Sequence, residues 1–258
     1  MKRPDTLTVI AITVVVAVIT DLLHEALGHG GACLLSHGQP ILLTTVSFDC
    51  SFDSRFISAG GTLVNLLAGT VFLFAGRAVR SPRLKLFFWL LLTFNFLDSG
   101  GYFLFSGIAN IGDWADVIRG FRPSWAWHAL LTAVGAASYL FFVWISLREL
   151  QPLLSPDQPT RLARARRYLL IPYFTHGTLF TSAGLFNPIG MILVAISAMA
   201  ASFGGCSAMV WMGLWLRGNL IAPPAEEGAI VERSPAWIAA AVVLAVPFVF
   251  VLGRGIRF

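Results

Sequence analysis

Two carboxylates and two imidazoles lie within nine residues near the amino terminus of the chain. They are Asp21, His24, Glu25 and His29, in the segment DLLHEALGHGG. Imidazole nitrogens together with a carboxylate oxygen form catalytic zinc sites, which keep one position open for water. A nearby glutamate can accept the proton of that water. The cluster therefore predicts a hydrolytic zinc site, and a proton or ion path and a buried polar network are the alternatives.

The spacing of the two histidines determines whether they can bind one ion. They are five residues apart, which is a rotation of about 140° on a regular α-helix, whereas four residues give about 40°. A π-bulge within Ala26–Gly28 would insert one residue and bring both imidazoles to one side, and Gly28 makes this distortion cheaper. Without a bulge, the aligned face would consist of Asp21, Glu25 and His29, which could bind a metal through two carboxylates and one imidazole.

Ionisable residues are rare in the remaining apolar sequence. Asp98 and His176 lie in later apolar blocks, and Asn65 and Asn95 accompany them. Within a membrane such residues are costly, face the interior of the helix bundle and are functional candidates. His176 has no ionisable neighbour in the sequence, so we expect a packed or cavity-lining side chain rather than a ligand.

The composition predicts the class of protein that positions these residues. Of 258 residues, 57% are hydrophobic and 12% are charged, against about 25% charged in an ordinary soluble domain. A helix needs about 20 apolar residues to cross a bilayer, and the alternating segments of a transmembrane barrel are absent. Seven apolar blocks approach the length of a span: Leu7–Leu23, Phe56–Gly76, Leu86–Phe105, Trp125–Leu147, Tyr168–Phe186, Ile189–Leu216 and Ala236–Leu252. We expect an all-α polytopic membrane protein with seven transmembrane helices, or six if Pro188 marks a break within one helix.

The first connection differs from the other loops. Gln39–Asp53 (QPILLTTVSFDCSFD) alternates in part between apolar and polar residues, which predicts a short surface β-hairpin after the first helix. We expect a metal-site core of three transmembrane helices in residues 1–110, an additional helical bundle in residues 111–258, and no soluble domain. Cys33 and Cys50 could pair in an oxidising compartment, but we expect free buried thiols because their spacing matches no disulfide framework.

The distribution of basic residues predicts how the chain crosses the membrane. If the amino terminus is cytoplasmic, most of the 18 lysines and arginines fall on the inner side. The positive-inside rule therefore predicts a multi-pass protein with a cytoplasmic amino terminus and an external carboxyl terminus, in a cell membrane of bacterial type. The basic segment Arg161–Arg167 is interpreted as a contact with the headgroups of the lipid bilayer, and no nucleic acid partner is expected.

Three segments resemble motifs of the site-2 proteases, a family of intramembrane zinc metalloproteases. His24–His29 (HEALGH) is similar to their zinc motif, in which two histidines and a glutamate lie on one membrane helix. Gly60–Asn65 (GGTLVN) is similar to their small-Gly-Pro-x-x-Asn segment, with Thr62 where proline is usual. Leu97–Gly101 (LDSGG) resembles their Leu-Asp-Gly motif. The motifs occur in the family's order, and the resemblance covers about residues 6–107.

The resemblance implies an intramembrane zinc metallopeptidase that hydrolyses membrane-embedded or juxtamembrane proteins or peptides. It implies a Zn²⁺ ion bound by His24, His29 and Asp98. Glu25 would be the general base that activates the attacking water, and Asn65 would donate a hydrogen bond to the scissile peptide or to its developing oxyanion. In this family the zinc helix usually runs toward the cytoplasm, whereas the basic residues here predict the opposite direction.

Two alternatives remain open from the sequence. Asp113 could supply the third ligand in place of Asp98, although Gly112–Trp114 is expected to form a solvated loop. The protein could also be a proton- or cation-coupled transporter, in which the same carboxylates and imidazoles relay protons or bind a cation at mid-membrane, or a protease-like membrane protein without activity.

Overall fold

The described part of this computed structural model, residues 3–188, 190, 194–218 and 220–258, is mostly helical. The first helices are α1 (Thr6–Leu35), α2 (Arg55–Ala78), α3 (Pro82–Ala109), the short α4 (Asp113–Ile118), α5 (Ser124–Leu150) and α6 (Gln158–Gly184). They are followed by α7, in three pieces (Val194–Gly205, Ala208–Trp211 and Met212–Leu216), and by α8 (Pro235–Leu252). Most of each predicted apolar block lies in a helix. Residues 189 and 191–193, at the start of the sixth block, lie outside the described residues.

Five of these helices are long and apolar enough to cross a membrane. They cover Thr6–Leu35, Arg55–Ala78, Ser124–Leu153, Ala198–Leu216 and Pro235–Leu252. This finding supports the expected class of helical membrane protein. The helices α3 and α6 are long enough to cross a membrane but are less apolar than these five. α3 contains Asn95 and Asp98, and α6 begins with a basic segment. The number of seven spans therefore stays a prediction.

The ends of the helices near the site follow from local sequence signals. α1 begins after Asp5, whose side chain accepts a hydrogen bond of 2.9 Å from the backbone N–H of Thr8, and α2 begins after Ser54, which caps Ile57 in the same way at 3.1 Å. Short polar side chains at this position satisfy backbone donors that the helix leaves free. α3 ends at Asn110, which adopts the left-handed conformation with φ of 55°, as is common at helix carboxyl ends.

A three-stranded antiparallel sheet follows α1. β1 (Pro40–Leu43) and β2 (Phe48–Cys50) form the expected hairpin. β3 (Ile256–Arg257), at the carboxyl end of the chain, pairs with the other side of β1 and gives the order β2-β1-β3. The third strand was not predicted, because two residues are too few to show an alternating pattern.

A disulfide fastens the hairpin to α1. Cys33 in the last turns of α1 is bonded to Cys50 at the end of β2, with 6.0 Å between their Cα atoms. The expectation of free thiols is therefore wrong for these two residues. Because β1 and β2 are antiparallel, the chain returns along β2 to the end of α1, and this brings Cys50 next to Cys33. Cys206 is free and buried.

α1 occupies the centre of the bundle. It contacts α2, α3, α6 and α8, while α3 packs along α5 and α7 packs against both α3 and α6. Val9, Ile12 and Val16 of α1 join Leu90 and Phe94 of α3 in the largest apolar core. The polar cluster of α1 is thus held in the middle of the protein, where neighbouring helices can bring other groups to it.

Candidate metal centre

The histidines lie on a segment of α1 that is wider than an α-helix. Leu23–Gly30 is π-helical, and in a π-helix the backbone hydrogen bond joins residues five apart, so those residues project from the same side. Nε2 of His24 and Nε2 of His29 are 3.2 Å apart. Of the two arrangements that the sequence left open, the structure therefore has the distorted helix, and the distortion extends over more residues than a single bulge at Ala26–Gly28.

Glycines allow α2 to pass directly beside this segment. A Cβ atom on Gly28 would lie 2.5 Å from Cα of Gly61, and a Cβ atom on Gly61 would lie 2.6 Å from Nε2 of His24 and 2.7 Å from Nε2 of His29. These distances are far shorter than van der Waals contact, so a larger residue at either position would force the helices apart. The backbone of α2 consequently forms one wall of the imidazole pair.

Both imidazoles are oriented by groups on α2. Nδ1 of His29 donates a hydrogen bond of 2.7 Å to the carbonyl oxygen of Ile57, which leaves the lone pair of Nε2 free. Nδ1 of His24 lies 3.1 Å from the side-chain amide of Asn65, whose Oδ1 has no hydrogen-bond partner. Rotation of the Asn65 amide by half a turn exchanges its nitrogen and oxygen. In that orientation Nδ1 of His24 donates a hydrogen bond to Oδ1 of Asn65, and Nε2 of His24 keeps a lone pair that can bind a metal. Metal-binding histidines are commonly held by such a bond to the second ring nitrogen.

Asp113 brings a carboxylate to the two free nitrogens. Its Oδ2 lies 3.3 Å from Nε2 of His24 and 3.4 Å from Nε2 of His29. The chain reverses after α3 through Asn110 and through Gly112, whose φ of 87° favours glycine, and Asp113 is the first residue of α4. Only 21% of its side chain is exposed, so the expected solvated loop is wrong. Residues on both sides of the predicted boundary at residue 110 contribute to this site.

The three converging atoms fit a zinc ion. Their separations of 3.2, 3.3 and 3.4 Å form a nearly equilateral triangle. Zinc bonds of about 2.0–2.1 Å in a tetrahedron place the ligand atoms about 3.3–3.4 Å apart. Two imidazoles and one carboxylate are also a ligand set of catalytic zinc, which leaves the fourth position open. The residues present therefore match zinc in both chemistry and spacing.

Glu25 is buried beside this triangle. Its side chain is on the same π-helical segment, and His24, Glu25 and His29 offer ligand atoms that all lie within 4.8 Å of one another. The residue is 6% exposed, and its Oε2 has no hydrogen-bond partner. An unpaired carboxylate oxygen next to a metal position can accept a proton from water, as the sequence predicts for Glu25.

Asp98, the carboxylate expected as third ligand, contacts another helix. Its Oδ1 lies 3.6 Å from Sγ of Cys206, and it also lies next to Gly205 of α7. Among the described residues, no hydrogen bond or ion pair joins it to His24 or His29. Its role as a ligand stays a prediction, whereas Asp113 is the carboxylate that the structure brings to both imidazoles. Asn65 is 1% exposed and contacts His24, and its predicted contact with the substrate likewise stays a prediction.

A cavity of about 620 Å³ extends from the site. Glu25, His29, Asp98 and Asp113 form its polar end. Its other walls come from the turn and β2 of the hairpin, from α2, from the second half of α3 and from α5 and α7. Much of this lining is apolar, so the cavity can take an apolar ligand next to a polar, acid-rich centre.

Negative charge predominates around the imidazoles. The carboxylates that line the large cavity are Glu25, Asp53, Asp98, Asp113 and Asp116. Asp21 joins Glu25 and Asp98 at a second cavity of about 40 Å³. Neither cavity has a lysine or arginine among its described lining residues. Because buried carboxylates are costly unless they are paired or bind a metal, a divalent cation would balance this excess of charge.

Two residues of α3 and α6 complete the surroundings. His176 is buried against Phe94 and Phe180 and lines the small cavity, as expected for a packed or cavity-lining side chain. Tyr102 stacks on the ring of His24, with 4.8 Å between centroids and 20° between planes. Tyr102 was not among the predicted site residues, although its position four residues after Asp98 places both on one face of α3.

Comparison with protein-family models, with curated proteins and with solved structures finds no match for this chain. The resemblance to the site-2 proteases therefore depends on the three sequence motifs alone.

Proposed function

We propose that the chain is a multi-pass membrane zinc metallopeptidase that hydrolyses peptide bonds of membrane-embedded or juxtamembrane substrates. One observation carries the proposal: Nε2 of His24, Nε2 of His29 and Oδ2 of Asp113 converge at 3.2–3.4 Å, beside the unpaired carboxylate of Glu25. Zinc held there would supply Lewis acidity, which polarises a carbonyl and makes water a nucleophile near neutral pH.

The residues of the chain then have separate roles in hydrolysis. Glu25 accepts a proton as water adds to the carbonyl carbon, and it delivers that proton to the peptide nitrogen as the C–N bond breaks. The products are a carboxylate and an amine. Asn65 acts as a positioning residue, because its amide contacts Nδ1 of His24 and so holds the imidazole with Nε2 toward Asp113.

Substrate would reach the site in an extended form. A helical peptide bond is shielded by the surrounding turns, so a substrate helix must unwind before water can attack. Phe48 of β2 lines the cavity, and β2 is an edge strand of the sheet. Backbone groups of an edge strand can pair with an extended peptide. An unwound substrate segment could thus form backbone hydrogen bonds with β2, in the cavity that Glu25 also lines.

The proposed topology has seven spans, with the amino terminus in the cytoplasm and the metal centre near the outer face. Two separate observations support this direction. Most lysines and arginines fall inside in that arrangement. The Cys33–Cys50 disulfide lies at the opposite end of α1 from the amino terminus, and disulfides persist in oxidising compartments outside the cytoplasm.

The proposal is tested with the full chain purified in detergent and loaded with Zn²⁺. Unfolded β-casein and synthetic single-span peptides serve as substrates, and mass spectrometry locates the cleaved bonds. We expect cleavage that a zinc chelator abolishes, and we expect Glu25→Gln to retain zinc but to lose cleavage by at least about 10²-fold. Glu226→Gln removes an exposed carboxylate far along the chain and is the matched control. Zinc binding without cleavage of any substrate would favour the inactive protease-like alternative.

A transporter is the second candidate, and one observation favours it. The small cavity beside the site is lined by Asp21 and His176, and Oδ2 of Asp21 has no hydrogen-bond partner. Unpaired ionisable groups at this depth are typical of proton or cation paths. Proton- or cation-coupled uptake into liposomes, without bound zinc and without hydrolysis, would support this candidate against the peptidase.

A further inference from the structure

Hydrolysis of a peptide bond needs a partner for the negative charge that develops on the carbonyl oxygen. Preorganised hydrogen-bond donors usually make the largest contribution to stabilising that charge. The resemblance to the site-2 proteases implies Asn65 for this role, but its side chain is 1% exposed and its amide contacts His24 at 3.1 Å. Zinc would carry part of that charge, and a donor that faces the cavity is a better candidate than Asn65 for the hydrogen bond that assists it.

Hydroxyl groups are the neutral side-chain donors in the described lining of the cavity. They belong to Ser47, Ser58, Tyr102, Tyr139 and Ser207. Ser47 pairs with the hydroxyl of Thr44 at 3.1 Å, and Ser58 donates to the carbonyl oxygen of Ser54 at 3.2 Å. Tyr139 donates to the carbonyl oxygen of Gly205 at 2.6 Å and lies 3.3 Å from the hydroxyl of Ser207. Among these described residues, only the hydroxyl of Tyr102 has no hydrogen-bond partner.

The position of Tyr102 suits a reaction at the metal centre. Its ring is stacked on His24 at 4.8 Å, so its orientation is set by one of the proposed ligands. It lines both the large and the small cavity. It also lies within electrostatic range of Asp113, Glu25 and Asp98. A donor that is held in place and is not engaged elsewhere needs no rearrangement when charge develops.

We propose that Tyr102 is a catalytic residue whose hydroxyl donates a hydrogen bond to the carbonyl oxygen of the scissile peptide as that oxygen becomes negatively charged. This inference rests on the proposed peptidase function. The phenol keeps its proton throughout, since Glu25 carries the proton that moves from water to the peptide nitrogen. The hydrogen bond forms with the attacked carbonyl and is released when the carboxylate product leaves.

Tyr102→Phe tests this role because it removes the hydroxyl and keeps the ring that stacks on His24. The zinc-loaded chain in detergent is assayed for β-casein hydrolysis and for zinc content. It is also assayed for binding of a phosphinic analogue of Leu-Leu, whose tetrahedral anionic group mimics the charged intermediate of the substrate. Tyr173→Phe is the matched control, since Tyr173 lies on α6 against Phe174 and Phe203 and outside the large cavity.

We expect Tyr102→Phe to lower kcat by about 10²-fold, in line with the removal of one oxyanion donor. KM and zinc content stay at the wild-type level, and the phosphinic peptide binds at least about 10-fold more weakly. Tyr173→Phe changes none of these quantities. Loss of zinc in Tyr102→Phe would indicate a merely structural role and overturn the proposal.

Failure of this inference is distinguishable from failure of the proposed function. If the wild-type chain hydrolyses casein, Glu25→Gln abolishes hydrolysis and Tyr102→Phe matches the wild type, only the role of Tyr102 is overturned. If the wild-type chain neither hydrolyses casein nor binds the phosphinic peptide when zinc is present, the peptidase proposal is overturned and the role of Tyr102 with it.

Discussion

Replacement of Asp113 by asparagine is the sharpest test of the metal centre. Asparagine keeps the size of the side chain but removes the charge that Oδ2 brings to within 3.3 and 3.4 Å of the two imidazoles. Structural zinc sites with four ligands bind with about 10–16 kcal/mol, which is roughly 2.5–4 kcal/mol for each ligand. Because about 1.4 kcal/mol corresponds to a factor of ten, Asp113→Asn should raise the dissociation constant for zinc by about 10²–10³-fold.

Asp98→Asn is the matched comparison for this experiment. The two aspartates line the same cavity, and the sequence motifs predict Asp98 as the ligand while the contacts favour Asp113. Zinc affinity is measured for both variants in detergent by competition with a chromophoric chelator. We expect Asp98→Asn to change the dissociation constant less than about 10-fold, which is below the loss of about 10–100-fold for groups that hold a ligand in place, because Asp98 contacts Cys206 instead.

The opposite result would refute the assignment. If Asp98→Asn loses zinc and Asp113→Asn retains wild-type affinity, Asp98 is the third ligand, and the triangle of short distances does not describe the metal-bound protein. Circular dichroism of both variants, matched to the wild type, ensures that a loss of zinc reports on the ligand and not on unfolding.

The remaining predictions concern the helix contact, the disulfide and the amino end of α1. Gly61→Ala places a methyl group 2.6 Å from Nε2 of His24, so the zinc content measured by mass spectrometry should fall below about a tenth of the wild-type value. Gly31→Ala is the control, because the space around Gly31 is open, and this variant should retain zinc. Equal zinc content in the two variants would contradict the packing argument. Reduction of the Cys33–Cys50 disulfide should lower the free energy of unfolding of the wild-type chain by about 3 kcal/mol, as measured by thermal unfolding in detergent. The same reducing agent should leave the stability of the Cys50→Ser variant unchanged, because that variant cannot form the bond. Asp5→Ala should cost about 1 kcal/mol at neutral pH. Hydrogen bonds from Thr8 hold the pKa of Asp5 below its ordinary value in the folded protein. The stabilisation is therefore present at any pH above the pKa of Asp5 in the unfolded chain, and it should vanish as the pH falls through the pKa in the folded protein. A cost of Asp5→Ala that does not depend on pH would refute this reasoning.

The local parts of the site were predictable from the sequence. His24, Glu25 and His29 lie on one helix, and their spacing alone showed that a regular α-helix could not bring the imidazoles together. The helical class was also predictable, because the length and apolar composition of each block indicate a membrane helix whatever the other blocks are. The hairpin between Gln39 and Asp53 was predictable for the same reason.

Contacts between distant segments were not predictable in the same way. Asp113 reaches the imidazoles only because Asn110 and Gly112 reverse the chain with positive φ angles. Asparagine and glycine indicate a turn there, but they do not determine which helix the next residue will face. The Cys33–Cys50 bond depends in turn on the register of a hairpin whose strands have only four and three residues.

The wide segment of α1 also bears on how such a site can tolerate changes in chain length. One residue added to a regular α-helix turns everything beyond it by about 100°, which would carry the disulfide and the hairpin away from their partners. Here the wide segment Leu23–Gly30 takes up the five-residue spacing of the histidines, and α-helical geometry resumes at Gly31. Local winding between the two histidines therefore accommodates one residue more than an α-helical spacing of four, and the disulfide and the hairpin at the far end of the helix keep their positions.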